Sequence, residues 1–361
     1  MRVLVTGASG LLGGTVAALL RDAGHDVRTF QRRPSGVVGV EDALGTLTDA
    51  ADVDRAVAGT DAVVHLAAKV SFTGDPADFR RVNVDGTRLV LDAARRHGAD
   101  RFVQVSSPSV AHTGASIVGA DAEPADPEHA RGDYARTKAE AELLALAADG
   151  PDLRVVAVRP HVVWGPGDTQ LVARVAERAR AGRLPLLGHG LALIDTTYVD
   201  NAASAIVAAL DRLDDDGGDG AAPGDGGRPG EARGRGDDVA AVTGRRSVRG
   251  QAYVVTNGEP RTVAEMLAGI CAAVGVPAPA WRVPASVART AGGAVERAWA
   301  AGPGRRPDAD EPPMTRFLAE QLSTAHWFDQ RRTRRDLRWT PAVTLDEGLA
   351  RLAAHHAAGA A

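Results

Sequence analysis

Tyr134 and Lys138 stand four residues apart in the stretch DYARTKAEAE, residues 133–142. Lys69 and Lys138 are the only two lysines among 42 basic residues, and the chain has three tyrosines. Arginine serves as well on a solvated face, but not where a compact ammonium is needed. Residues four apart on a helix share a face. A free tyrosine has a pKa near ~10 and is a reluctant proton-transfer group at neutral pH. A nearby ammonium favours the tyrosinate and lowers that pKa. It can also hydrogen-bond a ribose. Such a pair suits proton transfer to a carbonyl oxygen held by another hydroxyl. VQVSSPSV offers Ser106 and Ser107 for that task, at the end of a strand. The plainer alternative is a tyrosine at an ordinary helix start.

A second constellation lies at the N-terminus. TGASGLLGG sets Gly7, Gly10 and Gly13 between an apolar strand and a helix. Such glycines let the backbone turn tightly and approach a pyrophosphate, which the helix N-terminus then favours. Gly7, Ser9, Gly10, Leu11, Leu12 and Gly13 are the candidate contacts. A glycine-rich turn made only for packing is the competing reading. The second strand ends in Gln31, Arg32 and Arg33 rather than an acidic residue. An acid there accepts from ribose hydroxyls, whereas two guanidinium groups suit a 2′-phosphate. NADP(H) is the expected cofactor, against a merely basic loop.

The elements that must position these residues follow from pattern. RVLVT, HDVRTF, DAVVHLAA, RFVQVSS and LRVVAVRP read as short strands. Helical stretches over 11–23, 82–98 and 134–148 alternate with them. That alternation predicts an α/β fold, a Rossmann-type doubly wound parallel sheet. Residues 1–165 are expected to be mainly the dinucleotide-binding domain, and 166–361 mainly a smaller substrate-binding region. Further helices are expected at 169–182, 199–213, 262–275 and 343–356. Residues 284–301 place Val287, Ala291, Ala294, Ala298 and Trp299 near one side of a helix. That side either packs on the core or touches a membrane, an acyl chain or a partner. Residues 214–250, rich in Gly, Asp and Arg, read as a disordered low-complexity insertion.

Composition sets bounds. The net charge of −4 gives no reason to expect nucleic acid. Cys271 is the only cysteine, so no intramolecular disulfide forms and a cytoplasmic location fits. The spacing of His65, His112 and His161 matches no ligand pattern, and no metal is expected.

TGASGLLG, HLAA, NVDGT, VSS, YARTK and RPHVVWGPGD occur in the order and spacing of the extended short-chain dehydrogenase/reductases. The chain resembles that superfamily over nearly its whole length, and within it the 3β-hydroxysteroid dehydrogenase group. TFQRR, SSPSVAHTG, GPGDTQLVARVAERARAGRL and EPPMTRFLAEQLSTAHWFD resemble more narrowly the 2-alkyl-3-oxoalkanoate reductases of bacterial long-chain olefin biosynthesis.

The resemblance implies Tyr134 as proton donor, Lys138 as its modulator and Ser107 as the carbonyl-binding hydroxyl. Ser107 is preferred over Ser106 as the last hydroxyl before the step to the next Val position. It also implies Asn83 as a brace, Leu47 and Ala67 beside the cofactor, and backbone after Pro160 for the carboxamide. Thr46 stands where the family often has an adenine-contacting aspartate, so Leu47 is the carry-over at this strand end. Lys69 is expected near the nicotinamide and the carboxylate of a 3-oxo acid. The implied partners are a long-chain 2-alkyl-3-oxo acid, a second copy in a homodimer, and a peripheral membrane or multi-enzyme contact. Two competing activities are a hydroxysteroid or sterol dehydrogenase and a non-catalytic NADP-binding sensor. A sugar-nucleotide dehydratase fits less well, because Pro108 and Ser109 stand where its acidic pair would be.

Overall fold

The computed structural model describes residues 1–71, 74–112, 114–215, 247–300 and 316–360. The first part runs β1 (Arg2–Thr6), α1 (Leu11–Asp22), β2 (Asp26–Gln31), β3 (Glu41–Leu44), α2 (Ala50–Val57) and β4 (Ala62–His65). It continues with α3 (Pro76–Arg80), a π-helical turn over Arg81–Asp85, α4 (Gly86–His97) and β5 (Arg101–Val105). A 3₁₀ turn (Pro108–Ala111), β6 (Ile117–Ala120), α5 (Asp133–Leu146) and β7 (Arg154–Pro160) follow.

The remainder runs β8 (Val163–Trp164), α6 (Leu171–Arg180), β9 (Leu186–Leu187), β10 (Leu193–Ile194), β11 (Thr197–Tyr198) and α7 (Val199–Asp215). Then come β12 (Ala252–Val255), β13 (Arg261–Thr262), α8 (Val263–Ala273), β14 (Arg282–Val283) and α9 (Ala285–Ala300). The chain closes with α10 (Arg316–Ser323), β15 (His326–Phe328), α11 (Arg331–Leu337) and α12 (Leu345–Ala360).

Seven parallel strands form the main sheet, in the order β12-β7-β5-β4-β1-β2-β3. Strand order reverses between β1 and β4, the place where such sheets open a crevice at their C-terminal edge. Apolar strand residues alternate between two cores because successive side chains leave opposite faces. Val3, Val5, Val64, Val103 and Val156 meet α1 and α7 on one face. Leu4, Val63, Phe102 and Val155 meet α2, α4 and α5 on the other.

β12 and α7 belong to this first layer system although they lie beyond residue 165. Trp164, Tyr198, Met266, Ile270 and Leu352 centre a third core among α6, α8 and α12. A small sheet, β13-β10-β15-β6, ties the loop after Ser107 to the C-terminal segment.

Some boundaries differ from the sequence reading. The expected helix from 82 starts at 86, because 81–85 takes a wider turn. The expected 214–250 insertion lies mostly outside the described residues. Its end does not, since Val248 is fully buried and the Gly250 N–H bonds the Val155 carbonyl at 2.8 Å. On α9, Val287, Ala291 and Ala294 face solvent, while Ala288 packs with Leu187 and Ala319. The side chains of Ala298 and Trp299 lie outside the described residues.

Asn201 and Asn257 join the parts. Asn257 Oδ1 accepts from the Tyr198 N–H (3.0 Å) and from Asn201 Nδ2 (2.9 Å). Both Nδ2 groups donate to the Val343 carbonyl. All of this is buried, so an unpaired donor or acceptor costs its full desolvation. Asn257→Leu should therefore lower folding stability by about 2–4 kcal/mol. A urea midpoint unchanged from wild type would contradict that structural role.

Candidate active site

Gly7 takes φ +80°, a conformation that L side chains rarely adopt. A Cβ on Gly13 would overlap the Gly7 carbonyl. α1 starts at Gly10 without a side-chain cap. The loop therefore presents uncapped backbone at a helix N-terminus, which fits a dinucleotide pyrophosphate.

At the end of β2, Gln31 is buried. Its Nε2 donates to Thr29 Oγ1 (3.0 Å) and Asp42 Oδ1 (2.9 Å). Its Oε1 is buried with no hydrogen-bond partner among the described residues. Arg32 and Arg33 beside it are exposed. Thr46 turns its hydroxyl to Thr48 at 3.0 Å, and Leu47 is buried under Gly86.

Thr6 organises the end of β4. Its Oγ1 accepts from the backbone N–H groups of Leu66 (3.1 Å) and Ala67 (3.0 Å). Its own proton then goes to His65 Nδ1 at 2.8 Å. That assigns Nε2–H of His65 as donor to Thr87 Oγ1 at 3.1 Å, while Thr87 donates to the Asn83 carbonyl at 2.6 Å. Burial, and secondarily the Lys138 charge, holds His65 down at about 3, so it stays neutral.

Asn83 sits in the π-helical turn and links two loops. Its Oδ1 accepts from the Lys69 N–H at 2.7 Å, and its Nδ2 reaches Thr137 Oγ1 at 3.0 Å. Lys69 Nζ lies 3.5 Å from the Asp78 carboxylate and 5.0 Å from the Phe79 ring centroid. Its charge is thus partly compensated, which the sequence reading did not foresee.

The residues expected to transfer a proton lie at the end of β5. The Tyr134 phenol lies near enough to Ser107 for that hydroxyl to oppose its upward shift. Ser107 Oγ accepts from the Ser109 hydroxyl (3.0 Å) and the Ser109 N–H (3.2 Å). Ser106 is buried, and its hydroxyl has no hydrogen-bond partner among the described residues. Lys138 Nζ donates to the Val105 carbonyl at 2.7 Å.

Burial pushes Tyr134 up to about 12, against the lowering that spacing alone suggests. The phenol is therefore fully protonated at neutral pH. Burial pulls Lys138 down to about 8, while Glu142 opposes that fall. Ser109 was missed at the sequence level, although SSPS places it two residues from Ser107.

Behind Pro108 lies a cavity of about 210 Å³, walled by Pro108, Ala111, Ile117, Val254 and Phe328, with Glu123 and Arg159 also lining it. Its walls come largely from residues 108–123, a part of the chain not expected to build an apolar space.

The three sequence-flagged histidines do not converge. His65 bonds Thr6 and Thr87. His112 Nε2 lies 2.7 Å from His326 Nε2, and His161 Nδ1 meets the Asp195 carbonyl. The described residues hold no group of His, Cys, Asp or Glu arranged for a metal ion. They include no helix long and apolar enough to cross a membrane.

Residues 3–221 match the NAD dependent epimerase/dehydratase family. A 2-alkyl-3-oxoalkanoate reductase of Stenotrophomonas maltophilia is 42% identical over 99% of this chain and 100% of its own length. One from Shewanella oneidensis is 34% identical, covering 97% and 85%. The crystal structure of gox2253 shares the fold, with TM-score 0.72, 22% identity and coverage of 99% and 98%. The chain belongs to this family, the extended short-chain dehydrogenase/reductases. It is an oxidoreductase of the CH–OH/C=O couple that uses a nicotinamide dinucleotide.

Burial holds His161 at about 4 and His326 at about 3, and pulls His112 below its usual range. The unfolded chain takes these protons near pH ~6.5, so this contribution is present above that pH and is lost as pH falls towards 4. Asp195, pushed up to about 6 by burial, acts in the opposite sense for one proton. The urea midpoint should fall between pH 7 and pH 5, and less steeply in His326→Phe. Identical slopes in the two proteins would rule out the imidazole cluster as the cause.

Proposed function

We propose that this family member uses NADPH to reduce the 3-oxo group of a 2-alkyl-3-oxoalkanoate to the 3-hydroxy acid, in long-chain olefin biosynthesis. The observation that carries the reading is that Tyr134 on α5 lies near Ser107 while Lys138, one turn on, reaches the end of the same strand β5. The substrate class rests on the two relatives that bear that activity in their names.

The dinucleotide, when bound, supplies the hydride. Gly7, Ser9, Gly10, Leu11, Leu12 and Gly13 would hold its pyrophosphate. Arg32 and Arg33 would take the 2′-phosphate, Leu47 and Ala67 would flank the adenosine, and backbone after Pro160 would hold the carboxamide. Ser107 hydrogen-bonds the substrate carbonyl oxygen. Tyr134 donates its phenolic proton to that oxygen as the carbon is reduced. Its high pKa keeps the proton available at neutral pH. The Lys138 ammonium then stabilises the phenolate left behind and hydrogen-bonds the ribose. The cavity behind Pro108 offers an apolar space for an alkyl group. Lys69 is the candidate partner of the substrate carboxylate, in competition with Asp78. A homodimer and partner enzymes that make the 3-oxo acid and consume its product complete the reading.

The first assay follows NADPH consumption with a long-chain 2-alkyl-3-oxoalkanoate, a 3-oxosteroid, and NADH in place of NADPH. Fast turnover of the oxo acid with NADPH is expected. Turnover confined to the steroid, or preference for NADH, would move the protein to the sterol branch. Tyr134→Phe should reduce turnover by about 10²-fold or more while NADPH still binds. Lys69→Met should raise KM for the acid more than for a neutral ketone.

Lys138 is charged below about 8 and neutral above it. The kcat/KM should therefore fall as pH rises through about 8. A flat profile to pH 9.5 would remove Lys138 from the mechanism.

A further inference from the structure

Tyr134, Lys138 and Glu142 follow one another at four-residue steps along α5. Lys138 and Glu142 are both buried, and Glu142 is fully so. Glu142 is held by both ends of the Arg159 fork. Arg159 Nε donates to Oε2 at 2.8 Å, and one terminal N–H meets Oε1. Arg159 is itself 1% exposed, and its other terminal nitrogen donates to the Glu123 carbonyl at 2.7 Å.

The two attachments land on neighbouring strands at one level. Lys138 binds the carbonyl of Val105, the last residue of β5. Val105 is paired with Val158 of β7, and Arg159 comes next. Ser106 and Ser107 follow directly on one strand, and Pro160 and His161 on the other.

We propose that the Glu142–Arg159 pair is a positioning element of the proton-transfer centre. It clamps α5 to β7 and sets a carboxylate one turn behind Lys138, which keeps that ammonium charged in a site that disfavours charge. The proposal rests on the role given to Lys138 above.

The surroundings leave few other groups for this task. From β4, His65 faces Lys138 but stays neutral. On α3 and the turn after it, Asp78 and Arg81 pair with each other, and Arg80 pairs with Glu140 on the outer side of α5. Asp85, Arg88, Asp92, Arg95 and Arg96 along α4 are exposed. The 3₁₀ turn contributes only Ser109 and apolar residues. Tyr134 is protonated.

A buried fork-to-carboxylate pair also contributes to folding, so truncating one partner strands the other charge and is strongly destabilising. The decisive variant is therefore the double E142L/R159L, which removes both charges and keeps apolar bulk. E142Q serves as the second variant.

Because the chain has only two lysines, protein labelled with ¹³C at lysine Cε gives two resolved side chains, assigned with Lys69→Met. The midpoint for Lys138 should drop by about one pH unit in the folded variants, with Lys69 unmoved. The high-pH fall in kcat/KM should move by the same amount.

Folded variants that keep the wild-type Lys138 midpoint would overturn the proposal and leave the pair a purely structural clamp. The NMR titration needs no substrate. A failed ketoreductase assay is thus separable from a failed positioning role.

Discussion

Lys138 holds its ammonium 2.7 Å from the Val105 carbonyl, where β5 ends and the Ser106–Ser107 step begins. A primary ammonium is compact enough to enter this space, and its four-carbon stem reaches down from α5. The contact does two things at once. It fixes the height of α5 on the sheet, and so brings the Tyr134 hydroxyl to Ser107. It also keeps one positive charge inside protein at a cost in solvation. Asn83 and Thr137 hold α5 from the side, and Arg159 with Glu142 holds it one turn further on. These three attachments together set where α5 carries Tyr134 relative to Ser107.

Burial moves the two ionisable partners in directions that suit proton donation. Tyr134 rises to about 12 and Lys138 falls to about 8, and in both cases the neutral form is the one that gains. Spacing alone suggests only the ammonium's pull on the phenol, whereas burial raises Tyr134 here and Ser107 opposes that rise. A tyrosine that keeps its proton is a competent acid, and lowering its pKa in the free protein is unnecessary for donation.

Much of this was legible in the sequence because it is local. The strand–glycine–helix order needs only residues 2–22, and Tyr134 and Lys138 share a face by spacing alone. Tertiary pairings were not legible. His112 meets His326 across 214 positions, and no local pattern announces that contact. Arg159 in LRVVAVRP looks like any charged end of a strand until β7 lies under α5. The cavity behind Pro108 was not legible either. Residues 108–123 carry no periodic signal, and they acquire a fold only when β6 pairs with β15.

Two sets of buried polar side chains differ in kind. Between the main sheet and the C-terminal segment, His112, His161 and His326 stay neutral and trade hydrogen bonds with each other and with backbone. A neutral imidazole costs less to bury than a charge. Under α5 the chain instead buries full charges, Lys138 and the Glu142–Arg159 pair. A fold needing only cohesion there would do as well with apolar side chains of similar volume. Charged side chains are buried near the imidazoles too, Asp195 and Glu320 among them, but under α5 the buried ammonium and carboxylate stand at four-residue steps behind Tyr134 on one helix.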